Sequence, residues 1–321
     1  MGIACFFINI ALSSILYIES LSKKTDQMNK TSHTEYLNLE SVLIKPVSAA
    51  FRSNQIISEQ WELLNYLDKP DLDQAINEYS AFESILQDHN TKVLHLPEQE
   101  DLSMDSVYCR DASIATDFGM ILCHMGKKER NKEPMAQKAF FGKKNIPVLG
   151  VIQSPGTLEG GDVAWLDKTT LAVGHTYRTN EAGIEQLKQF LEPRGIKVLV
   201  VELPHYKGPS DVFHLMSIFS PVAEKLAVVY SPLMPIYFRN ELLIRGYDLV
   251  EVPEEEFDTM GCNVLAIGPK KCVMLKGNPK TEQGLKDHGC EVLTYQGQHI
   301  SVLGGGGPTC LTRPIVRVDT N

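Results

Sequence analysis

A lone thiol at the end of four glycines is the most reactive feature of this chain. The run Gly304-Gly305-Gly306-Gly307-Pro308-Thr309-Cys310 lacks a Cβ at four successive positions. Its backbone is therefore free to bend sharply, reach positive φ and let another molecule come close. A strand-like stretch, Pro314 to Val318, follows, so Cys310 is a nucleophile candidate on a hinge beside a strand end. A flexible terminal loop with an incidental buried cysteine has the same wording in these residues alone. A nucleotide loop does not, because no Gly-Lys-Ser/Thr follows the glycines.

Three further polar stretches interrupt apolar text. Tyr108-Cys109-Arg110-Asp111-Ala112 puts an Arg-Asp pair in a strand-like run, where charge needs a partner and a buried structural ion pair would suffice. Leu158-Glu159-Gly160-Gly161-Asp162-Val163 sets two carboxylates around a Gly-Gly turn, which in its plainest form is a hairpin with solvated acids. Phe213-His214-Leu215-Met216 places an imidazole in apolar surroundings, commonly a satisfied core histidine. Taken together, the inventory is a thiol, an imidazole and separated carboxylates. An activated thiolate attacks carbon, and a histidine passes a proton to a leaving group and then activates water. Two fixed carboxylates suit a planar cation, the geometry of a guanidinium.

The elements that must position these groups are legible as a repeat. Thr170 to Gly174 leads through a helix, Ile184 to Leu191, and Gly195 to a strand, Lys197 to Glu202. Lys225 to Tyr230, a helix around Leu242, Gly246 and Leu249 to Val252 repeat the pattern, as do Cys272 to Leu275, a helix around Leu285, Gly289 and Glu291 to Leu293. An opening unit (strand Val42 to Pro46, helix Leu72 to Leu86, strand Lys92 to Leu96) and Met120 to Val151 complete five α/β units in one ring. The glycine after each helix is the expected left-handed cap. Ala49 to Lys69 is a long connection, read as a lid, a functional loop or an irregular helix.

The composition narrows the partners. With 321 residues, 43% of them hydrophobic, the chain can close a sizeable core. Forty acidic against thirty-one basic residues, net −9, argue against a nucleic-acid partner. Seven scattered cysteines without a CxxC pair suit a reducing, cytoplasmic setting. The nearly all-apolar stretch from Ile3 to Ile18 raises an exported or membrane-anchored alternative. Residues 1–38 are therefore set apart as an N-terminal extension, and 39–321 are read as a single catalytic α/β domain.

The order Arg110-Asp111, Glu159-Gly160-Gly161-Asp162, His214 and Gly-rich Cys310 resembles the guanidino-group modifying enzymes. These are the superfamily of arginine deiminases, amidinotransferases and dimethylarginine dimethylaminohydrolases, and the likeness spans residues 41–318. It implies a five-bladed α/β propeller, in agreement with the repeats, and a small guanidino substrate. It also implies no metal and no organic cofactor, and leaves a homodimer open. By that similarity Cys310 is the nucleophile, His214 the acid and base, and Asp111 and Glu159 the guanidinium anchors, with Asp162 beside them. Arg130 and Arg178 fall where the dimethylarginine hydrolases hold the substrate's α-carboxylate. Deiminases and amidinotransferases carry an acid two residues after the histidine, whereas this chain has Met216. A thioether offers a soft apolar contact instead, and a methylated nitrogen suits it better than a bare one. The dimethylarginine hydrolases also lack the acid but use Lys there. The implied reaction is hydrolysis of Nω-methylated arginine to citrulline. The alternatives are a deiminase of arginine or another guanidino compound, an amidinotransferase, and a catalytically silent binding member.

Overall fold

The computed structural model describes residues 29–320, and the apolar stretch 3–18 lies outside them. Among the described residues there are five small sheets, each built as an antiparallel pair, a crossover helix and a parallel third strand. The blade that opens the chain pairs Asn38–Ile44 with Lys92–His95 in parallel, connected through helix Leu72–Asp88. The next pairs Ser113–Ile114, Met120–Leu122 and Val148–Val151 around helix Glu133–Lys143. The third joins Val163–Asp167, Thr170–His175 and Lys197–Glu202 around helix Glu181–Leu191. The fourth joins Phe219–Ala223, Leu226–Val229 and Asp248–Glu251 around helix Ile236–Ile244. The last joins Leu265–Gly268, Lys271–Leu275 and Glu291–Tyr295 around helix Pro279–Asp287.

Arg313–Val318, the strand directly after the thiol, closes the ring by pairing antiparallel with Asn38–Ile44. The α/β propeller implied by the repeats is therefore the observed architecture.

In the four later blades the first two strands are the buried ones. Met120–Leu122, Leu226–Val229 and most of Thr170–His175 and Lys271–Leu275 are buried, as expected of a strand covered on both faces. The helix-to-strand turn repeats as well. Gly195, Gly246 and Gly289 each have φ of 79°, the expected left-handed cap, and in the first two blades Asn90 (59°) and Asn145 (55°) take the same place. Asparagine enters that region more easily than other side chains.

One expectation changes. The N-terminal boundary at residue 38 is too late. Lys30–Thr31 pairs with Arg313–Val318, His33 stacks on Trp165 at 3.9 Å, and Glu35 meets buried Arg110 at 2.8 Å. That stretch is polar in sequence, so its burial depends on partners far along the chain. The connection 49–69 takes the irregular-helix form: Val47–Ala50 leads into it, Asn54–Gln60 lies within it, and Leu67 N donates to Leu303 O at 2.8 Å. No helix among the described residues is long and apolar enough to cross a membrane.

Candidate active site

Each expected site segment sits at a junction between blades, and backbone hydrogen bonds tie the junctions together. Arg110 N donates to Cys310 O at 3.2 Å and Gly160 N to Asp111 O at 2.9 Å. Leu215 N donates to Asp162 Oδ1 at 3.0 Å. The thiol loop, the Arg-Asp turn, the Glu-Gly-Gly-Asp turn and the histidine turn are thus one bonded assembly.

Tyr108 to Ala112 is not strand but a buried turn before Ser113–Ile114. The turn lets adjacent charges diverge: Arg110 points to Glu35, while Asp111 Oδ2 accepts from Arg130 Nη1 at 2.6 Å. The Gly-Gly segment is likewise no solvated hairpin. Gly160–Asp162 forms a single 3-10 turn, and Glu159 and Asp162 are both fully buried.

Cys310, His214, Asp111 and Glu159 line one narrow pocket, with Arg130, Arg178 and Lys127. Ligand-type atoms of Asp111, Glu159 and His214 all lie within 4.8 Å of one another. Glu159 Oε2 meets His214 Nε2 at 2.9 Å, and Oε1 accepts from Lys127 N at 3.0 Å. Asp111 Oδ1 is buried without a hydrogen-bond partner. An orphaned carboxylate oxygen in a cleft is an acceptor in want of a donor, as a docked guanidinium would supply. Cys310 and His214 also border a wider cavity of ≈ 320 Å³, whose walls include Met216, Phe213, Met260 and Leu303.

Two residues expected at the substrate have other surroundings. Arg130 donates to Glu133 through Nε and Nη2 and to Tyr108 O through Nη2, besides its bond to Asp111. So bound, it orients Asp111 and is poorly placed to grip an incoming carboxylate. Asp162 lies behind the pocket, where Oδ2 accepts from Thr176 Oγ1 at 2.7 Å and Thr179 Oγ1 at 2.6 Å. Together with its bond from Leu215 N, these contacts tie the Arg178 loop to the histidine turn. Arg178 itself is buried and lines the pocket, with Nη1 3.6 Å from Glu159 Oε1, beyond hydrogen-bond reach.

Residues 49–317 match the family model described as N,N dimethylarginine dimethylhydrolase, eukaryotic. The chain belongs to that family. It is thereby a hydrolase of the guanidino-modifying superfamily, acting on C–N bonds of linear amidines. A Bacillus subtilis (strain 168) protein described as uncharacterized protein YkgA is 30% identical over 292 residues, 91% of this chain and 96% of that one. The N(G),N(G)-dimethylarginine dimethylaminohydrolase of Streptomyces coelicolor is 29% identical over 226 residues, 70% of this chain and 80% of its own. The fold is shared with a Pseudomonas aeruginosa dimethylarginine dimethylaminohydrolase, solved as a cysteine-to-serine mutant with citrulline. The TM-score is 0.69 at 21% identity, over 86% of this chain and 99% of that one.

Burial and charge tune the site's acids and base. Burial disfavours the His214 imidazolium, but Asp162, Glu159 and Asp111 outweigh it and raise its pKa to about 9. Burial also opposes the Glu159 anion, yet the bond and charge of His214, with Arg178 and Arg130, hold that carboxyl well below the usual range. Near neutral pH the pair is therefore imidazolium and carboxylate. A cation would find three candidate ligands in Asp111, Glu159 and His214, but ligation needs the imidazole neutral. Burial, then the charge of Asp111, push the Cys310 thiol up, so a resting thiolate is disfavoured.

Several working residues carried no usable sequence signal. Lys127 Nζ donates to Asp105 Oδ2 at 2.6 Å and to Leu64 O at 2.7 Å, at the pocket wall. A Cβ on Gly161 would sit 2.4 Å from His214 Nδ1 and 2.8 Å from Asp111 Oδ1, so this glycine makes room for both. The four-glycine run serves internal packing more than an incoming molecule. Added Cβ atoms at Gly304, Gly306 and Gly307 would strike Tyr108 or Asn263 within 2.4 Å, and only Gly305 of the four has positive φ.

Proposed function

We propose that the chain is a cysteine-dependent hydrolase of substituted guanidines, with Nω-methylated arginine as preferred substrate and citrulline plus methylamine or dimethylamine as products. The observation that carries the reading is the free Asp111 Oδ1 beside Glu159, His214 and Cys310 in one pocket. A guanidinium docked there satisfies Asp111 and brings positive charge to the thiol, which favours its ionisation. The Cys310 thiolate attacks the central carbon, and imidazolium His214 gives its proton to the departing amine as the C–N bond breaks. The resulting amidino-thioether meets a water that neutral His214 deprotonates. Hydroxide adds to the carbon, the C–S bond breaks, and thiolate and ureido product separate. Arg178, whose guanidinium makes no hydrogen bond among the described residues and meets Glu159 only at 3.6 Å, takes the α-carboxylate. Met216, on the wall of the wider cavity, makes the apolar contact with the methylated nitrogen. Six described cysteines, all free, favour a reducing, cytoplasmic setting.

Neither anchor touches a substituent as such, so arginine itself fits the same carboxylates, and a deiminase is the second reading. Turnover on dimethylarginine and arginine side by side separates them. Dimethylamine release should outpace ammonia release, and the reverse order defeats the favoured substrate. Transfer of the amidino group to an added amine in preference to water would indicate an amidinotransferase. Intact mass after incubation with a chloroacetamidine should show one adduct on Cys310, and Cys310→Ser should abolish both adduct and turnover. Unchanged turnover in that variant would defeat the covalent route, whereas wild-type protein with neither turnover nor adduct would be a silent binding member.

A further inference from the structure

Resting on the reading of Cys310 as nucleophile, we infer that Asn263 supplies the hydrogen bond that holds and stabilises the Cys310 thiolate. Asn263 lies just before strand Leu265–Gly268 in the last blade, buried, on the wall of the wider cavity. Its Nδ2 donates to Cys310 Sγ at 3.4 Å. The orientation of the amide follows from its other end, where Oδ1 accepts from Thr309 N at 3.0 Å and from Thr309 Oγ1 at 2.8 Å. Two donors can converge only on the carbonyl oxygen, so the NH₂ must face the sulfur.

Thr309 Oγ1 also approaches Sγ, at 3.8 Å, but its proton is already given to Asn263, which leaves it an acceptor. Among the described residues, Asn263 is therefore the donor that a thiolate at position 310 would retain. The geometry is built rather than incidental. A Cβ on Gly307 would lie 2.4 Å from Asn263 Cγ, so the last glycine of the run is the space the amide occupies. Burial and Asp111 both oppose the thiolate, and the bond from Asn263 favours it. The donor matters at two moments in the reaction: before attack, when the sulfur carries charge, and when the C–S bond breaks and that charge returns.

The test is the pH dependence of Cys310 alkylation by iodoacetamide, with the modified residue located by mass, in the wild type, Asn263→Asp and Asn263→Leu. Asparagine-to-aspartate keeps the acceptor for Thr309 and replaces the donor by an anion. Asparagine-to-leucine removes the donor without adding charge. Both should move the alkylation midpoint to higher pH, by about one unit for leucine and more for aspartate, and lower kcat roughly tenfold or more. The high-pH plateau rate should stay within about threefold of wild type for leucine, because a Brønsted slope of about 0.4–0.5 makes a one-unit rise in thiol pKa change the thiolate's reactivity only that much. A merely structural role would change the plateau or the melting temperature and leave the midpoint in place, which overturns the inference. So does a leucine variant with wild-type midpoint and kcat. Wild-type protein alkylated elsewhere, together with an active Cys310→Ser variant, would instead defeat the parent reading.

Discussion

Replacing Glu159 by glutamine isolates the electrostatics of the proposed acid. The carboxylate lies 2.9 Å from His214 Nε2, and the imidazolium pKa is raised to about 9 against the pull of burial. Glutamine keeps the shape and an oxygen acceptor but removes the charge. A hydrogen bond to a charged partner contributes about 1.5–3 kcal/mol, which corresponds to roughly 1–2 pH units. Because Asp162 and Asp111 remain, the lower end of that range is expected. At pH 8 the wild-type histidine is roughly nine-tenths protonated; with a pKa near 8 it would be only about half protonated. The measurement is kcat against pH at saturating dimethylarginine. The variant should be slower throughout, because an anchor is lost, and its alkaline limb should descend at least one pH unit earlier than that of the wild type. An alkaline limb in the same place, whatever the absolute rate, would refute the claim that Glu159 holds His214 protonated for the leaving amine.

Gly161→Ala should reduce kcat/KM by about a hundredfold or more, since its Cβ would displace His214 or Asp111. Over-packing of this kind lowers stability by only about 1–3 kcal/mol, so a melting curve separates the two effects. Arg178→Ala should raise KM for a methylated arginine roughly tenfold or more while leaving the decarboxylated guanidine analogue within about twofold; equal losses on both would remove Arg178 from carboxylate binding. Stability should also depend on alkaline pH. The folded pKa of His214 lies above its ordinary value of 6.5, so its contribution is complete below about 6.5 and disappears as pH rises through about 9. On the order of 2–3 kcal/mol is involved, and denaturant midpoints measured from pH 6 to 10 should fall less steeply in His214→Asn than in the wild type.

The blade repeat was readable because it is local. Each unit is a short apolar strand, an amphipathic helix, and a residue able to take positive φ, at spacings that neighbouring residues determine for themselves. Even so, a search for glycine alone recognised three caps and missed the equivalent use of Asn90 and Asn145. The motif order likewise brought Cys310, His214, Asp111 and Glu159 into view before any coordinates. The sequence could not say which carboxylate oxygen stays free. Asp111 and Asp162 are both acids in small-residue turns, yet one faces the pocket and the other is bound by two threonines and a backbone amide.

Residues from Asn29 onward read as polar extension, and only the strand and side chains that return from the other end of the chain show why they are buried. Arg130 and Arg178 are two arginines alike in type; Glu133 and the Tyr108–Asp111 turn make one a brace for Asp111, while the other meets Glu159 only at 3.6 Å. Side-chain type and local period were properties of the sequence by itself. Which donor meets which acceptor was decided by ring closure, because a hydrogen bond reaches about 3 Å and its partners here come from segments tens to hundreds of residues apart.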